Sequence, residues 1–231
     1  MKKTFEKHET LFCILLIISY LLVNSYCMEK FSLTDARTTM INTIFSFILI
    51  ILMITLKRIS YYGLRKVTNS KRYLYFIPLL FIVSVNLWGG ININNSLSEI
   101  IFHILTMINI GFIEEIVFRG FLFKMMEKDN VKIAIIVNAI TFGVGHIINL
   151  FNGADLIPTL LQICYAISIG YLFVIIFYKS KSLIPCIITH AIMNSLSIFD
   201  ASTGTLSYIT SIFLIIVPFM YAIYINKNIK E

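Results

Sequence analysis

The sequence contains little charge. Only 13% of its 231 residues are charged, whereas 58% are hydrophobic, and the mean hydropathy is +0.86. No stretch is both long enough and polar enough to form a separate soluble domain. This composition argues against a soluble enzyme and predicts a polytopic membrane protein with a single membrane domain.

Several familiar patterns are also missing. The four cysteines include no CxxC pair, so neither a disulfide framework nor a zinc ribbon is indicated. There is no HExxH helix and no GxSxG nucleophile elbow. The net charge is +7, but the basic residues lie between apolar segments, which argues against nucleic acid as a partner. The lipid bilayer is the predicted partner.

Eight apolar segments predict an all-α fold of about eight transmembrane helices around a polar intramembrane cavity. They cover residues 11–27, 40–56, 73–91, 97–126, 131–150, 157–178, 183–199 and 206–224. The first follows Lys2, Lys3 and Lys7, as a signal peptide would. We interpret it as a retained helix, because the run is long and Asn24, Ser25 and Tyr26 do not suit cleavage.

The predicted organisation places three spans in residues 1–96, the ionisable motifs in 97–200, and the last span with a tail in 201–231. The positive-inside rule then predicts cytoplasmic N- and C-termini in the cell membrane. The predicted cytoplasmic residues are Lys2, Lys3, Lys7, Lys57, Arg58, Arg65, Lys66, Lys71, Arg72, Lys124, Lys128, Lys132, Lys179, Lys181, Lys227 and Lys230. Lys30 and Arg37 are the only basic residues predicted to lie in an extracytoplasmic loop.

The fourth span carries Glu114, Glu115 and Arg119 in an otherwise apolar stretch. An ionisable side chain near the bilayer centre costs at least about 2.5 kcal/mol, so such residues usually face a cavity or the bundle interior. Glu115 and Arg119 are four residues apart and can pair along one helix face, whereas Glu114 points elsewhere. We interpret the pair as supporting and Glu114 as the working residue. The alternative is a buried ion pair that only fixes helix packing.

Two further spans carry histidines at intramembrane depth. His146 shares a helix face with Phe142, and His190 shares one with Asn194, because each pair is four residues apart. Each histidine alone has a structural interpretation as a buried neutral imidazole. Phe142 is most simply a packing residue, Asn194 can bind helix to helix, and His103, about 16 Å from Glu114 by helical rise, is assigned to structure or cavity lining.

A carboxylate beside an imidazole can activate water and hydrolyse an amide if other donors stabilise the oxyanion. His190 and Asn194 suit the second task. The sequence leaves open whether a metal takes part: Glu114, His146 and His190 would make three ligands for Zn²⁺ or another divalent ion, whereas Asn194 is a poor zinc ligand.

The three motifs, EExxxR from Glu114 to Arg119, FxxxH from Phe142 to His146 and HxxxN from His190 to Asn194, resemble those of the CPBP intramembrane proteases over residues 98–199. This family is also called the CAAX protease and bacteriocin-processing, or Abi, family. The resemblance implies that Glu114 and His146 activate water and that His190 and Asn194 form the oxyanion site. Glu115 and Arg119 would support them. The family is often labelled metalloprotease, and a glutamate-dependent mechanism without metal is also argued for it.

The main functional hypothesis is an endopeptidase that cuts a membrane-associated peptide or protein within the bilayer or at its cytoplasmic side. A non-catalytic bacteriocin-immunity or scaffolding protein of the same fold is the alternative. An ion or proton transporter is the third reading, and the lack of a second half with matching broken helices counts against it. The richness in Ile, Asn and Lys is typical of an AT-rich bacterial genome, which favours a leader peptide or bacteriocin precursor over a prenylated substrate.

Overall fold

The computed structural model describes residues 2–67 and 76–229, and those ranges fold into helices joined by short loops. Extended pairing among them is limited to one isolated bridge between Ile91 and Asp200. In chain order, the α-helices are α1 (Lys2–Lys7), α2 (Glu9–Lys30), α3 (Ala36–Thr55), α4 (Leu79–Ser84), α5 (Leu97–Glu114), α6 (Lys124–Met126), α7 (Val131–Val144), α8 (Ile148–Phe151), α9 (Leu156–Ser180), α10 (Ile184–Leu196) and α11 (Thr205–Asn228).

Six helical segments of the described chain are long and apolar enough to cross a membrane. They are α2, α3, Leu97–Met126, Val131–Phe151, α9 and α11. The predicted count of eight spans is therefore not confirmed. The segment predicted over 183–199 forms a shorter apolar helix, Ile184–Phe199.

Of the segment predicted over 73–91, the described residues 76–91 form only the short helix α4 and turns. Residues 73–75 lie outside the described ranges. Pro78 stands at the N-cap of α4, where its missing N–H is tolerated. The helix ends after the 3₁₀ turn Val85–Leu87, and Gly90 follows with φ +97°, a conformation that favours glycine. Pro78 and Gly90 thus limit the length of the helix, although the apolar composition of the segment predicts a full span.

Two pairs of packed helices run parallel. Thr39 of α3 shares a hydrogen bond with Thr106 of α5 at 2.8 Å, and, further along both helices, Ser46 donates to the Asn109 side chain at 2.8 Å. In the same way, Ser168 of α9 donates to the Ile215 carbonyl of α11 and, further along both helices, Tyr171 packs against Phe219. Because parallel neighbours need a returning connection, the chain must return across the bundle between α3 and α5 and again between α9 and α11.

The loops gather at two opposite ends. At one end, which we call the basic end, the contacts are the ion pairs Glu9–Lys128 and Glu6–Arg58 and the Ser182 hydroxyl donating to the Arg65 carbonyl. At the other, the contacts are Ser25 with Asn152 and the Asn92 amide with the Phe199 carbonyl. We call this second end the acidic end, because its charged residues are Glu29, Asp35, Glu99, Asp155 and Asp200 with only Lys30 and Arg37.

Candidate active site

The helix that carries the acidic motif changes its winding at the motif. After α5 ends at Glu114, Glu115–Phe123 continues as a π-helix. Such helices are rare, and they occur frequently at functional sites. The Asn138 side chain of α7 donates to the Phe118 carbonyl at 2.6 Å, which gives a buried backbone oxygen of the π-helix a partner.

Glu115 and Arg119 form a fully buried ion pair. Arg119 Nη1 donates to Glu115 Oε1 at 3.2 Å, and both side chains are 0% exposed. Arg119 Nη2 also donates to the Gly170 carbonyl at 3.4 Å, and the guanidinium lies 4.1 Å from the centre of the Phe142 ring. The pair expected from the four-residue spacing is present, and Phe142 supports it through a cation–π contact.

His190 lies between the two adjacent carboxylates. Its Nδ1 is 2.9 Å from Glu115 Oε1, and its Nε2 is 3.4 Å from Glu114 Oε2. A close approach of α10 to α5 makes this possible: a Cβ on Gly111 would lie 2.9 Å from the Ala191 nitrogen. The histidine that the sequence assigned to an oxyanion site therefore contacts both acids directly.

Glu114 has a second partner that the sequence analysis missed. Tyr20, in the middle of α2, donates its hydroxyl to Glu114 Oε1 at 2.6 Å and is only 2% exposed. A tyrosine in an apolar helix gives no motif that connects it to an acid 94 residues away. The one available signal is that a buried tyrosine hydroxyl usually needs a hydrogen-bond partner.

A cavity of about 250 Å³ adjoins this cluster and brings the histidine motifs together. His146, His190 and Asn194 all line it, along with Leu33, Asn86, Met107, Gln162, Tyr165, Ala166, Ile169, Phe173, Met193 and Ser197. The His146 ring packs edge-on against Phe142 with centroids 5.7 Å apart, and His146 interacts electrostatically with Glu114 and His190. The expected convergence of the three polar spans is therefore seen, with His190 as the link between acids and cavity.

Asn194 and His103 differ in whether their side chains are hydrogen-bonded. The Asn194 side chain has no hydrogen bond among the described residues, so its amide can serve a ligand in the cavity. Its backbone carbonyl lies 3.2 Å from His103 Nε2, which also contacts the Ser197 hydroxyl at 3.3 Å. His103 thus holds the end of α10 in place, in agreement with its structural assignment.

The charges of the cluster do not balance without a further proton. With both carboxylates ionised and Arg119 protonated, the buried group carries one net negative charge, which is costly in an apolar surrounding. One further proton, on His190 or Glu114, makes it neutral. Since Nε2 of His190 faces Glu114, the arrangement can move that proton between Glu114 and His190, the one of the two that lines the cavity.

The three residues that a metal would need are not arranged to hold one. Among the described residues, no group of three His, Cys, Asp or Glu side chains has the geometry of a metal site. Both ring nitrogens of His190 already face carboxylates, and Glu114 is hydrogen-bonded to Tyr20. The donor set does not fit a catalytic metal, and we derive no step through one.

Part of the chain matches a known protein family. Residues 95–196 match the family model described as type II CAAX prenyl endopeptidase Rce1-like. No curated protein and no solved structure matches the chain significantly. The matched region contains all three motifs, from Glu114 to Asn194, and it agrees with the resemblance stated from the sequence. The match over these residues confirms the resemblance to the CAAX protease family that the motifs indicated.

Proposed function

We propose that this protein is an intramembrane endopeptidase that hydrolyses a peptide bond in a membrane-associated peptide or protein. The observation that carries the proposal is the contact between Glu114 and His190, which itself lines the cavity, inside the region that matches a peptidase family. A carboxylate paired with an imidazole supplies the base and the proton carrier that amide hydrolysis needs.

In the proposed reaction, a water molecule between Glu114 and His146 gives a proton to Glu114 and its hydroxide to the carbonyl carbon. The Asn194 amide donates a hydrogen bond to the resulting oxyanion. The proton passes to the leaving nitrogen, directly or through His190, and the carbon–nitrogen bond breaks. Water's hydroxide thus ends on the new carboxyl group and its proton on the new amine.

Each supporting residue has a defined task in this scheme. Glu115 accepts from His190 Nδ1, which orients the ring so that Nε2 faces Glu114. Arg119 compensates the charge of Glu115, and Phe142 holds the guanidinium in place. Tyr20 fixes one oxygen of Glu114, which leaves the other for the proton transfer.

The substrate class we favour is a leader peptide or bacteriocin precursor. Prenylated CAAX proteins, named in the family description, are not expected in a bacterium, and the composition rich in Ile, Asn and Lys is typical of an AT-rich bacterial genome.

The test compares the host strain expressing wild type, Glu114→Gln and Glu29→Gln at matched protein levels. Glu29 is an exposed acid of α2 and serves as the control. Quantitative proteomics of membrane and secreted peptides should show specific cleaved forms reduced at least about a hundredfold by Glu114→Gln and unchanged by Glu29→Gln. Persistence of all cleaved forms in Glu114→Gln contradicts the proposal. If that variant also retains a phenotype that deletion abolishes, the binding or immunity role replaces it.

A further inference from the structure

The cavity beside His190 lies towards the acidic end of the bundle. Leu33, on its wall, belongs to the loop between α2 and α3. Asn86 belongs to the 3₁₀ turn after α4, and Ser197 to the turn after α10. All three positions are next to loops that gather at the acidic end. A molecule that enters the cavity through these walls comes from that end.

The other side of the catalytic cluster is closed by packed aromatic residues. Three aromatic side chains lie between the cluster and the basic end, and each is 0% exposed: Tyr62, Phe121 and Phe123. The Tyr62 and Phe121 rings are 4.3 Å apart, and Phe123 packs edge-on against Phe177 at 5.9 Å. A substrate arriving from the basic end would have to displace this core, which interior packing density makes costly.

The charges identify which end faces the cytoplasm. Of 19 Lys and Arg residues, all but Lys30, Arg37 and Arg119 lie in the segments assigned to the cytoplasm. The two basic residues at the acidic end are each paired: Lys30 with Glu29 and Arg37 with Asp35, both at 2.7 Å. The hydrogen bonds from Arg37 lower the pKa of Asp35 to about 2, so this pair stays ionised at every physiological pH and adds no net positive charge.

We infer that the cavity opens to the extracytoplasmic face, so that the substrate is a peptide segment that has already crossed the membrane. The statement about a substrate rests on the proposed function. The statement about which side of the membrane the cavity opens to does not. It differs from the sequence-based expectation of cleavage within the bilayer or at its cytoplasmic side. An exported peptide or the external part of a membrane protein fits this entrance, and the tail of a cytosolic protein does not.

The test is thiol labelling from one side of the membrane. In a Cys164→Ser background, which removes the one native thiol exposed on the described surface, a cysteine replaces either Leu33 at the cavity wall or Lys132 at the basic end. Intact cells are treated with a membrane-impermeant sulfonated maleimide. We expect Leu33→Cys to react at least tenfold faster than Lys132→Cys, and Lys132→Cys to react only after permeabilisation. Labelling confined to Lys132→Cys in intact cells overturns the inference.

A second measurement connects the entrance to the site. A bulky maleimide added to intact cells should reduce processing of the peptides found by proteomics in Leu33→Cys and leave the parent unchanged. The identified cleavage points should also fall in extracytoplasmic segments, and cleavage points confined to cytoplasmic segments overturn the inference. Because the labelling rates need no activity, loss of the proposed function and loss of the proposed sidedness give different results.

Discussion

At the scale of single residues, the two adjacent acids have different surroundings. Glu115 is fully buried with Arg119, whereas Glu114 is bound by Tyr20 and His190 near the cavity. Removing one partner of a buried ion pair costs roughly 3–5 kcal/mol, because the other charge is left uncompensated. We therefore expect Glu115→Gln to lower the thermal unfolding temperature of the purified protein in detergent and Glu114→Gln to leave it near wild type while abolishing cleavage. Equal unfolding temperatures for the two variants would contradict this division.

Tyr20 offers a second test at this scale, because its hydroxyl donates a hydrogen bond to Glu114. A hydrogen bond to a charged group is worth roughly 1.5–3 kcal/mol. Tyr20→Phe should lower kcat about tenfold or more, with KM and the folded state little changed, since the ring and its packing remain. Tyr26→Phe, an exposed hydroxyl on the same helix, is the matched control. A Tyr20→Phe enzyme with wild-type kcat would make Tyr20 a packing residue only.

At the scale of elements, the site depends on how closely α5 and α10 approach. Gly111 has no room for a methyl group, since its Cβ would lie 2.9 Å from the Ala191 nitrogen and 3.1 Å from the Ala191 Cα. Small residues at such crossings let membrane helices pack tightly.

Gly111→Ala should therefore push α10 outward and separate His190 from Glu114 and Glu115, with a loss of activity of at least tenfold. Gly120→Ala on the same helical segment is the control, because its Cβ would meet nothing closer than 3.5 Å. Activity of both variants is measured as processing of the peptides identified by proteomics. Equal activity of the two would show that the close approach does not position His190.

The sequence predicted the helical class, six of the spans and the segments that form the site, because hydropathy and the spacing of charged residues are local signals. It did not predict the π-helix at Glu115–Phe123, since its winding is accommodated by contacts such as that from Asn138, which lies on another helix. It missed Tyr20 for the same reason. The pairing of His190 with both acids depends on the tertiary approach at Gly111, which spacing along one helix does not contain.

At the scale of the whole molecule, the membrane topology depends on how often the chain passes from one end of the bundle to the other. The number of long helices alone does not determine it. Since α3 and α5 run parallel, residues 56–96 must connect opposite ends even though α4 has only six residues. The same holds for residues 181–204 between α9 and α11. The described chain has six long apolar helices, and the two further crossings, in residues 56–96 and 181–204, remain a prediction.

Reporter fusions test this arrangement. Alkaline phosphatase, which is active only outside the cytoplasm, should be inactive when fused after Arg65 at the basic end and active when fused after Asn94 at the acidic end. A fluorescent protein that folds only in the cytoplasm should give the reverse pattern. Fusions after Lys181 and Thr203 repeat the comparison across α10. If the Arg65 and Asn94 fusions report the same side, the short helix α4 does not carry the chain across the membrane. In that case α3 and α5 would enter the bilayer from opposite faces. They would then be antiparallel, and the parallel packing seen here could not hold in the bilayer.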